Sequence, residues 1–307
     1  STMQQAASIK LKMKPARTME LAQNLFADGL ITYHRTDTPN LSEEATNEIW
    51  GYLRDNGMAD YVPSGRNTWK AKEGAQEAHE AIRPTHFNDR KPDIKDADAA
   101  KLYELIWLRS VACQMKPEVF DVTTIRLESM DALPDDSRPE FIASGRVQRF
   151  DGWRKLTGED AASEETEEVG QGLPALVEGE ELTATGGKVV DKKTKPAARF
   201  SEASLVKELE AQGIGRPSTY ASIMATISTR CYVAEEKSRL VPTALGCKVV
   251  DALVGKFAFA ELSYTRGIEA EFDQIAEGKG TFKAVVSAAD SLLSEELSKL
   301  DGVEVGE

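Results

Sequence analysis

The stretch Gly29-Leu30-Ile31-Thr32-Tyr33-His34-Arg35-Thr36-Asp37-Thr38 constrains this chain more than any other. Glycine ends a helix, and three residues of strand type follow. A phenol, an imidazole, a guanidinium, a hydroxyl and a carboxylate then arrive within five positions. A core strand does not need that polar density. A site that handles phosphate does, because arginine offers a planar fork of donors and tyrosine an oxygen nucleophile. Taken by itself, Tyr33 also reads as a packing residue at a strand end with its hydroxyl at the surface.

The flanks frame the stretch with helices. Lys10, Lys12, Lys14 and Arg17 make a basic approach, either solvated or facing phosphate. Pro15 opens a helix whose Met19, Ala22, Leu25 and Phe26 fall at helical spacing. Pro39-Asn40 turns the chain, and Ser42 caps a second helix carrying Ala45, Ile49 and Leu53, with Tyr52 beside them. A second polar cluster follows a loop with Pro63, Gly65 and Asn67. His79, Glu80 and Arg83 stand close together, with Pro84 breaking any helix after Arg83. No second histidine stands at helical ligand spacing, so a metal site is a poor reading. The segment is either a charged turn or a pocket wall that holds His79 and Arg83 toward an anion.

Residues 96–115 read as a long helix with Leu102, Leu105, Ile106 and Cys113 on its apolar face, stopped by Pro117. Val119 to Glu128 and Glu140 to Phe150 read as an antiparallel pair joined by the Pro134-Asp135-Asp136 turn. Gly158 to Gly172 is acidic and poor in apolar residues, which points to a mobile loop. Leu182 to Val190 is a further candidate strand. Ser201 caps a helix bearing Leu205, Val206 and Leu209, which stops near Gly213. After the turn Ile214-Gly215-Arg216-Pro217, a second helix starts at about Ser218, with Tyr220, Ile223, Met224 and Ile227 on one face. Tyr232-Val233 and Leu240-Val241 bracket a charged turn. Helix, turn, helix and wing together outline a winged-helix module. There Arg216, with the Ser218 and Thr219 hydroxyls, stands where helix N–H groups attract an anion, and Arg230 lies near the helix end. The plainer reading makes Ser218 a cap and Arg230 a C-terminal cation. Phe272 to Leu300 reads as amphipathic helix with an acidic end.

Charge neither demands nor excludes a nucleic-acid partner. The formal net charge is −13, yet residues 151–187 hold ten acids and two bases, so the remainder carries only −5. Affinity for phosphates depends on the field in a groove rather than on the sum. Cys113, Cys231 and Cys247 are too few and too widely spaced for a disulfide framework or a zinc knuckle, and are expected as small buried apolar residues. The opening residues carry no secretory pattern, and no apolar run approaches the ~20 residues of a membrane helix. The expected location is the cytoplasm, with no membrane partner.

Three stretches resemble the type IA DNA topoisomerases, with the bacterial topoisomerase I branch closest. They are Leu30 through Thr38, Glu77-Ala78-His79-Glu80-Ala81-Ile82-Arg83-Pro84-Thr85, and Glu202 through Ala221 with its Gly213-Ile214-Gly215-Arg216-Pro217-Ser218-Thr219-Tyr220-Ala221 run. The resemblance runs from Ser1 to about Leu300. It implies that Tyr33 attacks a DNA phosphodiester and is joined to the 5′ phosphate. Religation then needs no ATP, and negative supercoils are relaxed. It implies that Arg35 holds the scissile phosphate, that His79 assists near the cleaved strand, and that Arg216 and Arg230 contact DNA. Arg83, Ser218 and Thr219 join the expected DNA-contacting set. His34 stands where bacterial relatives often have methionine.

The fold class this implies is mixed α and β in several domains. A helical domain at 15–116 bears the tyrosine. A strand-rich arch or hinge is made by 1–14 and 117–197, with the acidic loop at 158–172. A partial winged-helix-like DNA-groove domain occupies 198–307. The resemblance also implies magnesium, bound by a Toprim domain that has no counterpart in these residues, and no metal in this chain. The expectation is thus a fragment of a larger enzyme, inactive alone. Its partners are single-stranded DNA at the cleavage site and the missing N-terminal part of the same enzyme. It is expected as a monomer associated with the nucleoid. Two other readings stay open: a non-catalytic DNA-binding or interaction module with an inert Tyr33, and a topoisomerase III-like decatenase, for which no decatenation loop stands out. The Gly145-Arg146-Val147-Gln148 echo of a family motif is treated as chance.

Overall fold

A computed structural model describes residues 1–36, 38–70, 80–158 and 172–298. The fold is mixed α and β, with ten α-helices and four strands among the described residues. The chain divides into two compact units. The first comprises Ser1–Leu41, Thr68–Trp107 and Ala197–Glu307, and the second Ser42–Asn67 and Leu108–Pro196.

In the first unit, α1 (Thr2–Leu11) packs on α6 (Glu202–Ala211), and α2 (Pro15–Ala27) packs on α7 (Tyr220–Thr229). The sequence reading placed residues 1–14 in a strand-rich arch, and α1 corrects it. Gln4 and Ala7 are buried. The Gln4 amide nitrogen donates to the Pro217 carbonyl at 3.2 Å, and Ser1 Oγ bonds Glu210. A helix partner two hundred residues away sets this face, and no local pattern announces it.

Leu21, Ala22 and Leu25 of α2 are buried. So are Ile31, Phe87, Leu102, Tyr103 and Trp107. Trp107 Nε1 donates to the Phe87 carbonyl at 3.0 Å and the Tyr103 hydroxyl to the Asp89 carbonyl at 2.8 Å. These bonds tie the chain after the second motif to α4 (Ala97–Ala112), whose residues the two units share. The Asp96 carboxylate caps α4 by accepting from the Asp98 and Ala99 amides. The helix ends at Ala112, short of the residue 115 expected.

The helix-turn-helix has its own core of Val206, Tyr220, Met224 and Leu240, with Leu205, Leu209, Ile227 and Val233 against it. Ser201 and Ser204 form a reciprocal capping box at the start of α6. The second helix starts at Tyr220 with Thr219 as its cap residue, two positions later than expected. The wing is β3 (Val233–Glu236) paired antiparallel with β4 (Arg239–Pro242), Val233 facing Pro242. The Leu240 amide donates to the Phe200 carbonyl at 2.7 Å and holds the wing to the start of α6. Thr243 caps α8 (Ala244–Leu253). A Cβ on Gly246 would sit 2.2 Å from the Tyr232 carbonyl oxygen, so only glycine lets that helix meet the wing. The single helix expected over 272–300 is two, α9 (Leu262–Ala276) and α10 (Phe282–Ser298). Gly278, at φ +74°, and Gly280 break it.

In the second unit Ser42 caps α3 (Glu43–Asp55) by accepting from the Ala45 amide at 3.2 Å, and Ile49 and Leu53 are buried. Asn67 and Gln114 exchange two bonds, at 3.1 and 2.9 Å. β1 (Val119–Glu128) and β2 (Glu140–Phe150) form the expected antiparallel pair, with a shift in register between Val119 and Phe120. Both strands are exposed along most of their length. The short helix α5 (Arg154–Thr157) follows. Its Arg154 pairs with Glu118 at 2.8 Å.

Residues 182–190, a candidate strand, are irregular, and no strand ladder among the described residues includes them. Of the acidic loop expected at 158–172, residues 159–171 lie outside the described residues. The cysteines also differ from expectation: Cys113 is half-buried, while Cys231 and Cys247 are exposed. Cys231 lies beyond the end of α7, and Cys247 stands on α8, where only Gly246 is buried.

Candidate active site

The polar stretch after α2 is positioned by its backbone. Gly29 adopts φ +70°, and the Leu30 amide returns to the Leu25 carbonyl at 2.9 Å, closing the helix. Ile31 then forms a β-bridge with Pro84. The Thr32 amide donates to the Arg83 carbonyl at 2.9 Å and the Thr85 amide to the Leu30 carbonyl at 3.0 Å. The Thr32 hydroxyl accepts from the Arg83 amide at 3.3 Å. The Ala81 amide donates to the Asn40 carbonyl at 2.8 Å, and the Asn40 side chain exchanges two bonds with the Trp69 backbone. Two polar clusters fifty residues apart in sequence are thereby laid side by side.

On this frame Tyr33 is half-buried and follows directly on the tethered Thr32. His34 is half-buried, its ring 5.3 Å from that of Phe26. Burial, then the neighbouring Arg35 charge, holds its imidazole below the usual histidine range. Arg35 is exposed. Asp37 and His79 lie outside the described residues.

The anion that Arg83 faces in this structure is a carboxylate of its own chain. Its guanidinium pairs with Glu80 at 2.9 Å, donates to the Pro84 carbonyl at 3.0 Å, and lies 6.0 Å from the Phe87 ring centre. Its side chain is only 13% exposed. The contact with DNA expected of Arg83 would require exchanging Glu80 for phosphate. As placed here, Arg83 braces the segment through Glu80, the Pro84 carbonyl and Phe87.

The second group surrounds the turn before α7. Gly215 takes φ +75°, and a Cβ there would lie 3.0 Å from both Ile223 and the Thr219 hydroxyl. The Thr219 oxygen accepts from the Arg216 amide at 2.8 Å, and Ser218 is exposed. The Arg216 guanidinium meets Asp273 at 2.7 Å and Glu269 at 3.5 Å, both on α9. Arg230 is exposed at the far end of α7, a helix of ten residues and so about 15 Å long. Tyr33 and Arg35 thus share one tethered loop, while Arg216, Ser218 and Thr219 share one turn. Arg230 stands apart from that turn.

Sequence reasoning named Thr32 and Glu80 without giving either a role, and did not single out Glu269 or Asp273. Glu80 carried a signal, three residues before Arg83. The α9 acids carried none, being more than fifty positions from the arginine they meet.

The family profile described as DNA topoisomerase matches residues 1–287, nearly the whole chain. The chain belongs to that family. It is 43% identical to the plasmid DNA topoisomerase I of Xylella fastidiosa, over 98% of this chain and 45% of that protein. It is likewise 43% identical to DNA topoisomerase 1 of Escherichia coli, over 98% of this chain and 34% of the relative. The solved structure of full-length topoisomerase I from Thermotoga maritima is 32% identical, with a TM-score of 0.76, and the match covers 96% of this chain and 48% of that one. The chain therefore spans between a third and a half of the proteins it matches. These relatives lie in the bacterial branch that the sequence motifs single out.

Proposed function

We propose that these residues are the part of a type IA DNA topoisomerase that makes and reseals the strand break. They would act together with the portion of the relatives that this chain does not span. The observation that carries the reading is the tether from Thr32 to Arg83, which holds Tyr33 on an ordered loop beside the second family motif.

The chemistry follows from the side chains. The Tyr33 oxygen attacks a backbone phosphorus of single-stranded DNA, its proton leaves, and the 3′ oxygen departs and takes up a proton. One phosphoester bond forms as one breaks, so bond energy is conserved and resealing reverses the step without ATP. Arg35, exposed two residues on, offers its fork of donors to the phosphate oxygens as charge builds on them. His79 assists at the cleaved strand. Arg216, Ser218, Thr219 and Arg230 hold the DNA backbone. The functional division proposed is 15–116 for the nucleophile, 117–197 for the hinge and 198–307 for the DNA groove. Among the described residues no group of three or more His, Cys, Asp or Glu side chains could hold a metal ion. The magnesium that the family implies is assigned to residues outside this set, and no step above is routed through it. Among the described residues no helix is long and apolar enough to cross a membrane.

The test is a chimera in which this chain replaces the matching segment of the Escherichia coli relative. Incubated with a labelled single-stranded oligonucleotide and then denatured, it is expected to carry DNA on Tyr33, and to relax negatively supercoiled plasmid. Tyr33→Phe is expected to lose both. Relaxation by the phenylalanine variant overturns the assignment. DNA binding without an adduct on Tyr33 favours the non-catalytic module.

A further inference from the structure

The arginine assigned to DNA in the turn before α7 already has partners, and they are arranged asymmetrically. The Glu269 carboxylate does two things. Its Oε1 accepts from the Gly215 amide at 3.1 Å, and its Oε2 faces the Arg216 guanidinium at 3.5 Å. The Glu269 carbonyl also lies 3.4 Å from Arg216 Nη2. Gly215 is buried and Glu269 is 19% exposed, so this tie fixes the turn to α9 from within. Asp273, one helical turn on, takes the outer face of the same guanidinium at 2.7 Å. Its side chain is 58% exposed, and it bonds nothing in the turn backbone that would make it part of the frame.

We propose that the two acids of α9 act on Arg216 in opposite senses. Glu269 is a positioning residue that aims the guanidinium by holding the Gly215-Arg216 backbone. Asp273 is an exchangeable stand-in for phosphate, which incoming DNA displaces. The inference rests on the reading of Arg216 as a DNA contact. It assigns to α9 control over how tightly and how selectively that contact is made.

The probe is a fluorescently labelled single-stranded oligonucleotide, titrated with the chain at several salt concentrations. Arg216→Ala tests the underlying reading. It is expected to weaken binding and to flatten the dependence of log affinity on log salt by about 0.7, the release from one phosphate of a single strand. Asp273→Asn removes an exposed competitor, and is expected to tighten binding about twofold to fivefold, the worth of an exposed ion pair. Glu269→Ala loses the backbone tie and is expected to weaken binding. Glu269→Gln keeps an acceptor for the Gly215 amide and is expected to restore it, which a simple loss of negative charge would not distinguish from alanine. Should Glu269→Ala fail to fold, Asp273→Asn, at a surface carboxylate, still decides. If Arg216→Ala changes neither affinity nor salt slope, the DNA-groove reading of the turn falls. If Arg216→Ala weakens binding while Asp273→Asn leaves it unchanged or weaker, the opposed roles of the α9 acids fall and the groove reading stands.

Discussion

The Thr32 amide donates to the Arg83 carbonyl at 2.9 Å, and the Arg83 amide returns a bond to the Thr32 hydroxyl at 3.3 Å. Residue 32 immediately precedes the proposed nucleophile, so its mooring sets where Tyr33 can reach. Thr32→Val preserves size and loses the hydroxyl, leaving the Arg83 amide short of an acceptor. We expect a loss of about 1 kcal/mol in urea unfolding with an unchanged slope. In the chimera the yield of DNA on Tyr33 should fall as well. A variant of unaltered stability would show that the hydroxyl bond is incidental.

Glu80 and Arg83 form a pair that is largely withdrawn from solvent, the side chains 19% and 13% exposed. Glu80→Ala would leave the guanidinium with the Pro84 carbonyl and the face of Phe87. The expected cost is about 2 kcal/mol, since a charged partner is left without its counterpart. Glu80→Gln should cost less, because an acceptor remains. Chemical denaturation of both variants measures the difference.

His34 gives the chain a pH dependence of defined sign. Its folded imidazole titrates below the ordinary value of 6.5, so the unfolded chain binds that proton more readily. Stability is unaffected by His34 well above that value. It declines as pH falls from 6.5 through the lower folded midpoint and levels off below it. An NMR titration should place the His34 midpoint below 6.5, and His34→Phe should flatten the stability curve in that window alone.

The three thiols should separate by reactivity. Cys231 and Cys247 are exposed, whereas burial pushes the Cys113 thiol up to about 11 and its sulfur donates to the Ser110 carbonyl. With Ellman's reagent at mildly alkaline pH, two thiols should react promptly. The third should be about a hundredfold slower until the protein is unfolded. Three fast thiols would contradict the packing described around α4.

Local chemistry in this sequence is legible where it is self-contained. Ser42 and Ser201 announce their helices because a cap acts on amides three residues away. The β1–β2 pair is readable from its alternation and its turn, and the wing from its bracketing apolar pairs. What the sequence conceals depends on distant partners. Residues 2–11 become helical against α6, while 182–190 are irregular and join no ladder among the described residues. The same limit holds at the site. Tyr33, Arg35 and Arg216 stand out by residue type and company, and Glu80 by standing three residues before Arg83, but the α9 carboxylates that occupy Arg216 emerge only in three dimensions.

The bridge between Ile31 and Pro84 consists almost entirely of main-chain bonds. An amide and a carbonyl are common to every residue except proline, whose nitrogen has no hydrogen to give. The stitch therefore survives exchange of nearly any side chain along it. Scaffold and chemistry are separable here: the identities at 33, 35 and their neighbours are left to selection for reactivity, without jeopardising the seam that presents them.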